Sequence, residues 1–361
     1  MSATVKKGQA TDFEIEISHK GPVKILQFTD PQLTDIFTAR TSIRHDQIKG
    51  CYFGDGIFDD DYRVYDLMNS VVEATKPDII AVTGDIVYGE TDDSGLLFTR
   101  FIKEMEKYRL PWIPVFGNHD NESAKGVNWQ CKCLEAAEHC VFARGNVTGN
   151  CNFSVSVTRQ GKAEVLLMML DTNGCHVFNN PGTLGEGMMA DNVDIDYIKQ
   201  EEGIFPDQIG WYEQTVNNAK DFYGNRELCS LAFFHIAPSR ICELFVERYG
   251  NQNRRLDKNG DGDFGAMDNF EDTVPVDADH SFDAAARRIG TRGMFFGHEH
   301  ENSLSLLDGD IRYTFGLKTG LHNSYRLDHV GGTLITVEDG SPAVEHIYYE
   351  YKPYDLNKNK A

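Results

Sequence analysis

Three observations predict a layered α/β fold. β-rich apolar runs and amphipathic helical stretches alternate along most of the 361 residues. Two βαβ units stand side by side in the first third of the chain. Five of the apolar runs stop at a side chain able to bind a cation: Asp30, Asp85, Asn118, His235 and His298.

The elements follow in order. Val23–Thr29 (VKILQFT) is a β-rich run that ends at Asp30. Tyr65–Thr75 carries apolar residues at helical spacing until Lys76-Pro77, where the missing proline N–H stops a helix. Asp78–Thr83 is a buried strand running into Gly84-Asp85. Leu96–Tyr108 reads as an amphipathic helix, and Trp112–Phe116 as the strand before Gly117-Asn118-His119-Asp120. Val155–Val157 and Val165–Leu170 pair around the turn Gln160-Gly161. Asp207–Phe222 is helical, with Trp211, Tyr212 and Val216 on its buried face. Leu228–Phe234 is a strand ending at His235, Phe282–Ile289 is helical, and Gly293–Phe296 ends at Gly297-His298-Glu299-His300. Short strands close the chain at Leu304–Leu307, Ile311–Phe315, Gly332–Val337 and Val344–Tyr351. Two connections, Asn173–Phe205 and Arg248–Asp279, are long enough to point to a function of their own. With no repeat and no low-complexity linker, a single domain over residues 1–361 is expected.

At 40% hydrophobic and 25% charged residues the chain has an ordinary soluble balance and length for a large core. Lys plus Arg number 35 against 56 Asp plus Glu, a net charge of −21. A field of that sign repels nucleic-acid backbones and anionic membranes, so neither is expected as a partner. A phosphorylated small molecule or protein would have to be captured through cations held locally. The first thirty residues lack the apolar stretch of a signal peptide, and no run reaches the roughly 18 apolar residues of a spanning helix. A cytoplasmic location is the expectation. Among the eight cysteines, Cys131-Lys132-Cys133 is one residue too tight for a zinc-knuckle pair. Reduced thiols, or one or two disulfides in an exported protein, both remain open.

Four short stretches carry the chemistry: Asp30-Pro31-Gln32, Gly84-Asp85, Gly117-Asn118-His119-Asp120 and Gly297-His298-Glu299-His300. Each places oxygen or imidazole ligands just beyond a strand, where open α/β sheets collect their ligands. A lone Asp after a strand is ordinarily a turn or N-cap residue, and a lone His ordinarily a packing residue. Five such positions together call for another reading. A serine-hydrolase G-x-S-x-G elbow is missing.

In this order the motifs resemble those of the calcineurin-like metallophosphoesterases: D-x-H, GD, GNH(D/E), a later His, and GHxH, over about Val23 to Leu321. The flanking text FFHIAP and YTFGLKTG resembles the purple acid phosphatase 29 and Dcr2-type branch. The resemblance implies a four-layer α-β-β-α sandwich of two mixed sheets. It also implies hydrolysis of phosphomonoesters at two metal ions, iron with iron, manganese or zinc, which activate water for attack at phosphorus. Motif by motif, Asp85 would bridge both ions, Asp30 and His300 would hold the first, and Asn118, His235 and His298 the second. His119 would protonate the leaving oxygen, and Asp120 would hold its ring.

One departure stands out. The motif histidine of D-x-H is Gln32 here, which costs the first ion an imidazole. Asp85-Ile86-Val87-Tyr88 fits the GDxxY motif of purple acid phosphatases, in which tyrosinate replaces that histidine and favours ferric iron. A packing role for Tyr88 would favour divalent iron, manganese or zinc instead. Two rivals share the motifs. One is a phosphodiesterase or nucleotide hydrolase; the other is a degenerate phosphate-binding or regulatory protein, supported by Gln32 and opposed by the retained His119.

A second cation reading falls on Asp257, Asn259, Asp261 and Asp263, at positions 1, 3, 5 and 7 of a calcium-type loop. Gly262 sits at position 6 and Asp268 in place of the usual Glu at 12, so calcium and an acidic surface turn both fit. On the substrate side, His45 and His322 could approach the pocket, and Arg40, Arg44 and Arg240 follow motif residues closely enough to contact a phosphate, but a solvated surface role is the first expectation for each. The Asn173–Phe205 loop is expected to shape substrate choice.

Overall fold

The structure, a computed structural model, describes residues 3–34, 60–89, 92, 94–123, 125–174, 202–321 and 324–350. Its smaller sheet is built on three parallel strands, β3 (Val23–Phe28), β4 (Ile79–Thr83) and β5 (Trp112–Val115). Two antiparallel strands, β14 (Gly331–Glu338) and β15 (Ser341–Tyr348), extend it beyond β3. The larger sheet runs β1 (Ala3–Lys7), β2 (Phe13–Ile17), β6 (Phe153–Arg159), β7 (Lys162–Met169), β8 (Ser230–Phe233), β11 (Thr291–Phe296), β13 (Ile311–Phe315) and β12 (Ser305–Asp308). Strands β7, β8, β11 and β13 are mutually parallel, and antiparallel pairs close both edges.

Both sheets are mixed, as expected, and helices lie outside them. Helix α1 (Asp60–Thr75) packs on β3 and β14, and α2 (Leu96–Lys107) sets Phe101 edge-on against Trp112 of β5. Helices α4 (Pro206–Tyr223), α5 (Ser239–Tyr249) and α6 (Ser281–Ile289) pack on the larger sheet. The period-two alternation of a strand explains how β7 serves two layers at once. Val165, Leu167 and Met169 join an apolar cluster shared with the smaller sheet. Leu166, Met168 and Leu170 join a second one with Tyr212, Phe234 and Phe282. Strands covered on both faces read as continuous apolar runs, the pattern that marked them in the sequence.

Some elements differ from expectation. The β1–β2 hairpin and α3 (Val127–Glu135) carry no strong signal, and α1 begins at Asp60 rather than Tyr65. Within the Arg248–Asp279 connection, α5 ends at Tyr249 and β9 (Arg254–Arg255) pairs with β10 (Ala266–Met267) as a small ribbon. Among the described residues no helix is long and apolar enough to cross a membrane. Cys131, Cys133, Cys140, Cys151, Cys229 and Cys242 are free thiols.

Candidate metal centre

The site is assembled at the carboxyl ends of β3, β4 and β5 from one sheet and of β8 and β11 from the other. The chain leaves these strands in left-handed turns, with φ of 50° at Asp30, 42° at Gln32, 51° at Asp85 and 72° at His298. Non-glycine residues avoid this region at a cost of order 1 kcal/mol, and such residues cluster where function demands them. Packing between turns explains two motif glycines. A Cβ at Gly84, itself at φ 89°, would lie 2.6 Å from His235 Nδ1. One at Gly297 would collide with Thr29 Oγ1 and Asp30 Oδ2. Backbone bonds lock the turns together: Asp30 N–H donates to Gly84 O (3.1 Å) and Gln32 N–H to Asp85 O (2.8 Å).

Around Asp30, one half of the site takes shape. Asp30, Asp85 and His300 each offer a ligand atom, all within 4.8 Å of one another. His300 Nε2 lies 3.5 Å from Asp30 Oδ1, and its Nδ1 lies 3.2 Å from Ser324 Oγ. Burial opposes the charge on Asp30, but His300 and His235 outweigh it and hold the carboxyl at about 2. Asp85 is likewise held well below the usual range, against burial, by His235 and His119.

The other half centres on Asn118. Its Oδ1 is 3.1 Å from His235 Nε2 and 3.1 Å from His298 Nδ1. His235 joins the halves, with Nε2 3.4 Å from Asp85 Oδ2. Its Nδ1 donates to the Thr83 carbonyl (2.8 Å), which turns Nε2 toward the ligand set, the usual outer support of a metal-binding histidine. Burial disfavours charge on His235, but Asp85 and Asp30 raise its pKa to about 10. Burial and the His235 charge lower His298 to about 3. A buried set of carboxylate, amide and imidazole donors in two adjoining groups suits a pair of divalent or trivalent first-row cations.

With the fold and this geometry in view, the comparisons with known proteins are specific. The calcineurin-like phosphoesterase family matches residues 23–302. The chain belongs to that family. A probable inactive purple acid phosphatase 28 from Arabidopsis thaliana is 30% identical over 275 residues, covering 71% of this chain and 61% of the relative. The phosphatase DCR2 of Saccharomyces cerevisiae is 22% identical over 251 residues, 67% of this chain and 39% of its own. This phosphoesterase chain therefore spans less than two thirds of the length of these curated relatives. A dimetal phosphatase from Danio rerio superposes over 91% of this chain and 99% of its own at 11% identity, TM-score 0.49.

Next to this cluster of candidate ligands in the phosphoesterase lies His119. Its N–H donates to Asp85 Oδ1 (2.9 Å), and its ring Nδ1 is 2.7 Å from Glu122 Oε2, with both side chains buried. This corrects the role expected of Asp120. That carboxylate accepts the backbone N–H groups of Val87 (3.1 Å) and Gly117 (2.8 Å) and does not hold the ring. Burial and the Asp85 charge push Asp120 up to about 8. A 3₁₀ turn over Asp120–Glu122 is the reason: it sets residues three apart on one side, so Glu122 reaches back to His119. Tyr88 is buried and stacked on His119, ring centroids 4.5 Å apart at 29°.

Gln32 is turned by a neighbour that the motifs do not reveal. Its Nε2 donates to Asp85 Oδ2 (3.0 Å), while its Oε1 accepts from Lys318 Nζ (3.1 Å). Lys318 is fully buried and also donates to the Asp30 carbonyl (3.2 Å). Burial lowers its pKa to about 8, against the pull of Asp30 and Asp85. A β-bridge between Thr29 and Lys318 carries this lysine inward.

The remaining candidates disperse. In the calcium-type loop, Asp257, Asp261 and Asp263 are not among the groups of described residues whose ligand atoms come together, and two of the four side chains are engaged elsewhere. Asp263 is paired with Arg248 (2.7 Å) and Tyr249 (2.9 Å), and the Asn259 amide bonds both ways to the His346 backbone. Arg312 takes the carbonyls of Asp261 and Gly262, the Asp257 carbonyl accepts from Gly265, and Asp268 pairs with Arg255 and Arg326. Arg240 is held by Asp308 (2.9 Å) and Glu247 (2.8 Å). His45, Arg40, Arg44 and His322, and residues 175–201 of the long loop, lie outside the described residues.

Proposed function

We propose that this calcineurin-like phosphoesterase hydrolyses phosphomonoesters of a small molecule or protein, with His119 as the general acid. Asp30, Asp85 and His300 would hold one ion, and Asp85, Asn118, His235 and His298 the other, drawn from iron, manganese and zinc. Such ions, when bound, supply Lewis acidity toward the phosphoryl oxygens and make a water acidic enough to attack. The observation that carries the reading is the His119–Glu122 pair beside Asp85. The Glu122 carboxylate, 2.7 Å from Nδ1, accepts that N–H and leaves Nε2 as the atom from which a leaving alkoxide would take a proton. Asp120 fixes the turn that presents that ring, and Thr83 orients His235.

The test is turnover of an aryl phosphomonoester against the matching diester, with ion content measured on the same protein. Monoester turnover that falls about 10²–10⁴-fold in His119→Ala, with ions retained, supports the proposal. A preference for the diester would move the chain to the phosphodiesterase reading. One observation favours a second reading, a non-catalytic phosphate binder: the amide oxygen of Gln32 faces Lys318 at the position of the motif histidine, and a relative bears the name "probable inactive". Retained ions and phosphate binding without turnover of either ester would favour it.

A further inference from the structure

We propose that Lys318 stands in for part of the first ion's charge, so that the Asp30–Asp85–His300 half takes a divalent cation and discriminates against a trivalent one. The inference rests on the two-ion reading above and deepens it by naming the class of ion. Its basis is a chain of three contacts. Lys318 Nζ donates to Gln32 Oε1 (3.1 Å) and to the Asp30 carbonyl (3.2 Å), so both contacts are oxygen acceptors. Gln32 Nε2 donates to Asp85 Oδ2 (3.0 Å). The amide oxygen, the only side-chain atom of Gln32 able to bind a hard cation, is thereby turned to the ammonium, and amide hydrogens face Asp85 instead. In place of an imidazole ligand, this half holds a fixed positive charge against the backbone of one of its own ligands.

The consequence for selectivity follows from charge. Lys318 is fully buried, so water does little to screen it. Its repulsion of an ion grows in proportion to that ion's charge, and a trivalent cation meets more of it than a divalent one. Ferric iron also relies on anionic ligands, and the ring that would supply a phenolate, Tyr88, lies stacked on His119.

The experiment uses the full chain, stripped with a chelator and dialysed against equal concentrations of ferric citrate and Mn²⁺, followed by elemental analysis. Wild type and Lys318→Arg, which keeps the charge, are expected to hold a ferric-to-manganese ratio at least about tenfold below that of Lys318→Met. Circular dichroism checks the fold. Should methionine at this buried position prevent folding, Lys318→Gln keeps a hydrogen-bond donor for Gln32 without the charge and replaces it. Equal ratios in wild type and the uncharged variant overturn the proposal, as does a visible phenolate-to-iron band in iron-loaded wild type. Wild type that takes up neither ion would overturn the two-ion reading as well.

Discussion

Asn118, His235 and His298 converge on a single point, with two contacts of 3.1 Å to Asn118 Oδ1 and a backbone carbonyl orienting His235. Across the site, the carboxylate oxygens of Asp85 are already occupied by the His119 N–H and the Gln32 amide, and a lysine sits behind Gln32. One half gathers its donors on a single oxygen, with His298 neutral and His235 carrying the one proton to be lost. The other is a set of charges held by protein hydrogen bonds that a cation must displace. Motif lists treat the two halves as equivalent, but the geometry makes the second pre-organised and the first conditional.

Asp85 is the largest lever on this difference because it touches both halves. Asp85→Asn is expected to weaken ion binding at least about 10²-fold in both and to remove turnover with it. If ion content survives unchanged, the halves are independent and the contrast between them dissolves. Next comes proton release. His235, raised to about 10, must lose a proton to bind an ion, whereas His298, lowered to about 3, is already neutral. Affinity at the second half should therefore rise roughly tenfold per pH unit between pH 7 and 9. Calorimetry in buffers of different ionisation enthalpy should count about one proton released there.

The same shift gives a stability prediction with a definite sign. His235 has its pKa raised above the unfolded value of 6.5, so its ion pairs stabilise the ion-free fold fully below that pH. That stabilisation is lost as pH rises through about 10. Ion-free protein should melt lower at pH 10 than at pH 7; a melting temperature flat across that range would place the proton elsewhere.

The smallest expected effects separate two neighbouring acids. Glu122→Gln should lower turnover by about 10–10²-fold with ions and melting temperature little changed. Asp120→Ala should instead cost about 2–3 kcal/mol of stability, because it leaves the N–H groups of Val87 and Gly117 unpaired in the interior. Urea unfolding beside kinetics would show whether the two effects divide in this way.

What could be read from sequence followed physical signal strength. Strands buried on both faces announce themselves as apolar runs, and the polar residue that ends each run was visible at Asp30, Asp85, Asn118, His235 and His298. Strand β1 was not, because Ala3–Lys7 is largely exposed at a sheet edge and carries no alternation. The choice between Asp120 and Glu122 turned on a 3₁₀ turn of three residues, below what periodicity can resolve. In the calcium-type loop the spacing was right and the neighbours were invisible: Arg248 turns Asp263 away, the His346 backbone takes the Asn259 amide, and Arg312 takes the carbonyls of Asp261 and Gly262. Lys318 stayed hidden for the same reason in reverse, since bridges to Thr29, far off in the chain, and to Val330 make it interior.

Asp30, Asp85 and Asn118 hang from the smaller sheet, whereas His235, His298 and His300 hang from the larger. A cation shared between them would thus be a clasp across the seam of the molecule. Loading should tighten both layers together, by an amount that grows with the logarithm of free ion concentration. Slower amide exchange in β4 and β11 alike would register it, and slowing confined to one sheet would show the clasp open on the other side.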